Sequence, residues 1–206
     1  MEGIISSQTE GTDFEEVEEL NLESWRSKTI SPQEKKLLER YLNLDYLSMS
    51  GCGLESLKNF PVLSRLIKLD LNENSIKTGL ENLSGLKDLM QLSFTKNKLD
   101  SIESFRPLST LTSLVYLDID GCPVTQIEDY RNKIFAIIPN LQVIDTIDRS
   151  GKEVSIFDED EEDNEFGDDD DEDLDDEEGE SDEENDEDDE VNESEGEDPK
   201  KRKRNF

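Results

Sequence analysis

The sequence predicts an α/β solenoid: short parallel strands stacked on irregular returns, closed by a cap at each end and followed by an acidic tail. Three observations predict it. An eleven-residue pattern recurs at a nearly fixed spacing, the segments flanking the recurrences carry helix signals, and the last quarter of the chain changes composition abruptly.

The pattern is clearest in "LIKLDLNENSI" (66–76) and "LMQLSFTKNKL" (89–99), both of the form L-x-x-L-x-L-x-x-N-x-L. "LDYLSMSGCGL" (44–54) and "LVYLDIDGCPV" (114–124) repeat it with Cys in the Asn position, and "LQVID" begins a partial fifth copy at Leu141. Starts separated by 22, 23, 25 and 27 residues fall in the range of leucine-rich repeats. Strand alternation turns Leu69 and Leu71 inward and Lys68, Asp70 and Asn72 outward. The returns place apolar residues about every third position (Leu54, Leu57, Phe60, Leu63; Leu99, Ile102, Phe105, Leu108, Leu111), which suits 3₁₀-like turns over a shared core. Asn74 and Asn97 are expected inside the bend, satisfying backbone groups there. Cys52 and Cys122 share that position three repeats apart, roughly 14 Å at ~4.8 Å per strand, too far for a disulfide.

A stack of repeats needs capped ends. "GTDFEEVEELNLESW" predicts a short helix from Thr12 or Asp13 with Phe14, Val17 and Leu20 on its apolar side, then an edge strand through Leu20 and Leu22. Trp25 takes the ladder position there, and residues 1–12 are expected to be disordered. "SPQEKKLLERYL" predicts a second helix, with Pro32 at its first position and Ser31 and Glu34 spaced as a capping box. The N-terminal cap is thus expected over 13–43 and the repeats over 44–140. "DYRNKIFAIIPNLQVIDTIDRSGKEV" predicts a longer helical segment, a last strand and a turn, within a C-terminal cap at 125–157, so that the repeat domain as a whole spans 13–157.

The outward strand positions form the candidate partner surface: Tyr46, Ser48, Ser50; Lys68, Asp70, Asn72; Gln91, Ser93, Thr95; Tyr116, Asp118, Asp120; and Asp145. Acids outnumber cations, and Tyr46 and Tyr116 offer amphipathic contact area. A polar face kept only for solubility is the plainer reading. The expected ligand is a basic protein.

Between Asp158 and Asp198, 30 of 41 residues are Asp or Glu and none is Lys or Arg. Of a net charge of −33, these 30 negative charges and the five positive ones of Lys200 to Arg204 leave −8 for residues 1–157. Such a segment cannot bury enough apolar surface to offset its chain entropy and is expected to be disordered. Its charges repel nucleic acid and attract polycations, histones above all, though a solubilising spacer would look the same. Phe157, Phe166 and Leu174 are candidate apolar anchors, and Ser181 and Ser194 precede acids as acidophilic kinases prefer. "PKKRKR" follows at 199–204 within the basic 199–206 end; Lys200, Lys201, Arg202, Lys203 and Arg204 resemble a single-cluster nuclear import signal read by an import receptor.

The chain contains no His and two Cys, so the commonest general base and metal ligand is missing and catalysis, metals and cofactors are not expected. No apolar run reaches the ~20 residues of a membrane span, and no signal-peptide pattern is seen at the start; an intracellular, soluble protein is expected.

Together, "EELNLESWRS", the two Asn repeats and the cap "VTQIEDYRNKIFAIIPNLQVIDTIDRSGKEV" resemble the acidic leucine-rich nuclear phosphoprotein 32 family. The resemblance implies a right-handed solenoid, histone binding and chaperoning, effects on histone acetylation, inhibition of type-2A protein phosphatase, and a nuclear protein able to shuttle to the cytoplasm. Glu128 and Asp129 match only approximately the positions that partners use in some members, and Trp25 stands where members carry a ladder Cys. Two further readings are a phosphatase inhibitor acting through the repeats alone and a repeat adaptor for an RNA-binding protein.

Overall fold

The computed structural model describes residues 1–154. Seven strands form one sheet in chain order: β1 (Glu19–Asn21), β2 (Tyr46–Ser48), β3 (Lys68–Asp70), β4 (Gln91–Ser93), β5 (Tyr116–Asp118), β6 (Val143–Ile144) and β7 (Ile147–Asp148). The first six run parallel, and β7 turns back antiparallel to β6. Parallel neighbours joined by long returns make this the expected solenoid, right-handed as such crossovers are.

Register explains why the repeat needs its leucines. Leu20, Leu47, Leu69, Leu92, Leu117 and Ile144 align laterally across six strands, and all are buried. One residue beyond the strands, Leu22, Met49, Leu71, Phe94 and Ile119 form a second buried row. A one-residue slip would turn both rows to solvent, so register is strongly specified. The return at Ile102–Thr110 is 3₁₀, as its three-residue apolar spacing predicts, with shorter 3₁₀ segments at Leu80–Leu83 and Pro123–Gln126. The return through Leu54, Leu57, Phe60 and Leu63, expected to be alike, carries only a turn at 58–59 and the Ser56 bridge to Thr78. The returns pack tightly: at Gly79, where φ is +102°, an added Cβ would lie 2.8 Å from the Leu57 nitrogen.

The Asn ladder works as anticipated. The Asn74 amide donates to the carbonyls of Met49 and Leu71, both at 2.9 Å, and its oxygen accepts from the Leu54 N–H at 2.9 Å. Asn97 repeats the arrangement one turn on, donating to Leu71 and Phe94 and accepting from Ile76. Cys52 and Cys122 fill the same position as weaker donors to Leu22 and Phe94, at 3.1 and 3.2 Å. Both thiols are free and buried, and burial pushes Cys52 up to about 11, away from thiolate chemistry.

Two expectations at the N-terminus are corrected. Residues 1–12 are not disordered: Glu2–Gln8 form helix α1, and Ile5 is 2% exposed in the core. The helix covers the edge of β1, whose unpaired backbone groups need partners. The helix expected from Thr12 or Asp13 is only a turn at 14–16. Phe14 is held instead by tertiary contacts, edge-on to Tyr41 at 5.1 Å and under the Arg40 guanidinium at 3.7 Å. Helix α2 (Pro32–Leu38) is as expected, with the full capping box: Glu34 N–H to Ser31 Oγ at 3.2 Å and Ser31 N–H to Glu34 Oε2 at 2.8 Å. Helix α3 (Tyr130–Ile137) closes the other end.

Candidate functional site: the open face of the sheet

Tyr46, Lys68, Gln91 and Tyr116 form one lateral row on the open face; Ser48, Asp70, Ser93 and Asp118 form the next. The anticipated face is therefore assembled, but its members differ in access. Asp70 and Asp118 are half-buried and Asp120 is exposed. Ser48 is buried, its hydroxyl donating to Glu23 Oε1 at 3.1 Å. Tyr116 is 6% exposed, so only its edge meets solvent.

Burial holds the Asp70 carboxyl above its ordinary range; the Asn72 N–H opposes this at 2.8 Å, while the charges of Glu23 and Asp118 add to it. Burial likewise raises Tyr46, and it raises Tyr116 to about 12, with Asp118 and Asp145 contributing. The face thus has a negative field that its own carboxylates feel. Glu23 was missed by the repeat pattern because it lies in the cap. Register could have found it: Asn21 pairs with Ser48, which sets Glu23 level with Ser50.

Asp145 is corrected. Its side chain is 7% exposed, and it completes the sheet. Across the face, Leu22, Met49, Leu71 and Phe94 each donate their N–H to a carbonyl of the next strand: Ser48, Asp70, Ser93 and Asp118. Ile119 would continue the series to the Asp145 carbonyl. The chain instead turns there, with φ of +50° at Asp145 and +68° at Thr146. Ile119 N–H goes to Asp145 Oδ1 at 2.7 Å. The other oxygen accepts from the Tyr130 hydroxyl at 2.6 Å and lies 3.5 Å from Arg131. Burial and the bond to Asp145 raise the Tyr130 hydroxyl well above its usual range.

Glu128 and Asp129 are exposed in the loop before α3. Asp129 has φ of +57° and accepts from the Asn132 amide at 2.6 Å. Phe157, Phe166, Leu174, Ser181, Ser194 and Lys200 to Arg204 lie outside the described residues. Among the described residues, no group of His, Cys, Asp and Glu could hold a metal, and no helix is long and apolar enough to cross a membrane.

A laterally stacked sheet with satisfied ends and an open polar face defines a repeat protein built to present a surface. The chain belongs to the leucine-rich repeat family, whose model matches residues 17–166. Its resemblance to one branch is borne out by relatives of that name. The Drosophila melanogaster acidic leucine-rich nuclear phosphoprotein 32 family member A is 37% identical over 154 residues, 75% of this chain and 58% of that one. An Arabidopsis thaliana acidic leucine-rich nuclear phosphoprotein 32-related protein is 40% identical over 119 residues, 57% of this chain and 26% of that one. The chain therefore spans little more than half of the fly relative and about a quarter of the plant one. Among solved structures, the Drosophila melanogaster SNF/U2A′ complex matches with 26% identity and a TM-score of 0.55, over 67% of this chain and 75% of that one.

Proposed function

We propose that this chain is a non-enzymatic nuclear protein that binds histones and acts as a histone chaperone and regulator of chromatin and transcription. One observation carries the reading: 30 acids in 41 residues, unbroken by any cation, joined to a repeat face bearing Asp70, Asp118 and Asp120. The polyanion supplies many screened contacts to a cationic partner, and the sheet face supplies choice among such partners. The word nuclear in the names of the fly and plant relatives supports the compartment. Lys200 to Arg204 engage an import receptor, shuttling to the cytoplasm remains open to the protein, and phosphorylation at Ser181 and Ser194 tunes a charge that is already large.

The test is binding of core histones to the full chain and to the double variant Asp118→Lys, Asp120→Lys at moderate salt. Both residues lie on the open face, Asp118 half-buried and Asp120 exposed, and circular dichroism checks that the variant is folded. Weaker binding supports the reading; unchanged affinity removes this face from it.

A second reading is an adaptor that docks a folded protein, favoured by the likeness to a chain solved within the SNF/U2A′ complex. In that case the partner is captured equally well without residues 158–198, and the same double variant loses it.

A further inference from the structure

The open face carries a depression of about 200 Å³ over β3 and β4, with Tyr46 on one side and Tyr116 on the other. Ser93 lines it and pairs laterally with Asp70 on one strand and Asp118 on the other. Neighbouring strands lie ~4.8 Å apart, so the two acids flank Ser93 across roughly 10 Å. Both carboxylates are fixed in place by the backbone two residues on: Asn72 N–H to Asp70 Oδ1 at 2.8 Å, and Asp120 N–H to Asp118 Oδ1 at 3.1 Å. The Ser93 hydroxyl donates to Asn72 Oδ1 at 2.7 Å, which draws it away from the centre.

We propose that this depression is a socket for one arginine side chain of a partner protein, its guanidinium over Ser93 between Asp70 and Asp118, with Tyr46 at its side. The inference rests on the reading of the sheet face as a partner surface and narrows it to a single side chain.

The dimensions select the occupant. A guanidinium is a planar fork with donors on opposite sides; with a hydrogen bond at each end it spans roughly 8 Å between acceptor oxygens. Two carboxylates rising from backbones about 10 Å apart leave a span of that order. An ammonium is a compact point charge and reaches one of the two acids, not both. The half-buried Tyr46 ring at the rim adds a cation–π surface. Tyr46 already shows this chemistry, with the Lys68 ammonium 5.5 Å from its ring centroid. Lys68 also opposes a second cation, so the socket is better occupied when it is gone.

The experiment is backbone amide NMR on the labelled full-length chain in about 0.15 M salt, where distant charges are screened. The probes are three capped Gly-X-Gly tripeptides with X as Arg, Lys or citrulline. The Arg peptide is expected to shift the Ser93 and Asp118 amides saturably, about threefold or more tighter than Lys, with citrulline inert. Asp70→Asn and Asp118→Asn keep the shape and each weaken Arg binding about tenfold; Ser93→Leu fills the floor and abolishes it; Lys68→Met tightens it. Equal responses to Arg and Lys, shifts confined to residues 158–198, or indifference to both Asn variants overturn the socket. Histone binding by the same variants separates the two proposals. If the Arg peptide fails while charge reversal at Asp118 and Asp120 still weakens histone capture, the partner surface stands and the socket falls.

Discussion

The side-chain amide of Gln8 pairs with both backbone groups of Asn21: its oxygen accepts from the Asn21 N–H at 2.9 Å, and its NH₂ donates to the Asn21 carbonyl. One glutamine on α1 thereby stands in for a strand that the edge of β1 lacks. Gln8→Ala is expected to cost about 1 kcal/mol, read as a lower urea midpoint. It should also raise self-association in sedimentation, because an uncovered edge is a template for pairing. An unchanged midpoint would mean that α1 covers the edge without bonding to it.

Asp145 performs the corresponding task at the other end, and there more depends on it. Asp145→Ala leaves the Ile119 N–H, the Tyr130 hydroxyl and Arg131 without their acceptor and puts Ala at a positive φ. A loss of about 3 kcal/mol is expected, against about 1 kcal/mol for Tyr130→Phe. Equal losses would show that Ile119 is not held through Asp145. Chemical denaturation of the two variants decides it.

The ladder predicts an order among substitutions. Asn74→Ala removes an acceptor and a branching donor from a buried bend and should cost about 3–4 kcal/mol. Asn74→Cys should cost less, since Cys52 and Cys122 already serve that position with one donor each. Cys52→Ala, which loses a single weak bond, should cost least. A reversed order would mean that the bend is held by packing instead of the amide.

Asp70 predicts a pH dependence. Its folded pKa is raised, chiefly by burial, so ionisation is less favourable in the folded chain than in the unfolded one. Its contribution to stability is fully present below the unfolded pKa, roughly 4, and is lost as pH rises through the raised folded value. Asp70→Asn keeps an oxygen for the Asn72 N–H and removes the charge. The variant should therefore be more stable than the parent at neutral pH, and the gain should shrink on acidification toward pH ~4. A gain that persists well below that range would place its cause outside the carboxylate.

The repeats were legible because one short pattern encodes strand, bend and return at once. Leu69 cannot face solvent, and Asn74 has a set of backbone groups to satisfy, so type and spacing suffice. The ends were less legible. "EGIISSQ" carries two isoleucines and no strong periodicity, and α1 exists because Gln8 and Ile5 meet the edge of β1, a partner that sequence spacing does not reveal. On the face, alternation places Tyr116 and Asp145 among the outward positions. It could not foresee that the tyrosine is almost wholly buried, or that the aspartate carboxylate replaces a carbonyl. Glu23 escaped for a related reason: it reaches the face from a cap whose pattern departs from the repeat.

The division of labour between face and polyanion is tested most directly by core-histone binding across a salt series, comparing the full chain with one ended at Phe157. The account predicts tight binding by the full chain that falls steeply with salt, and weak, shallow salt dependence without residues 158–206. Equal capture by the two chains at low salt would contradict it.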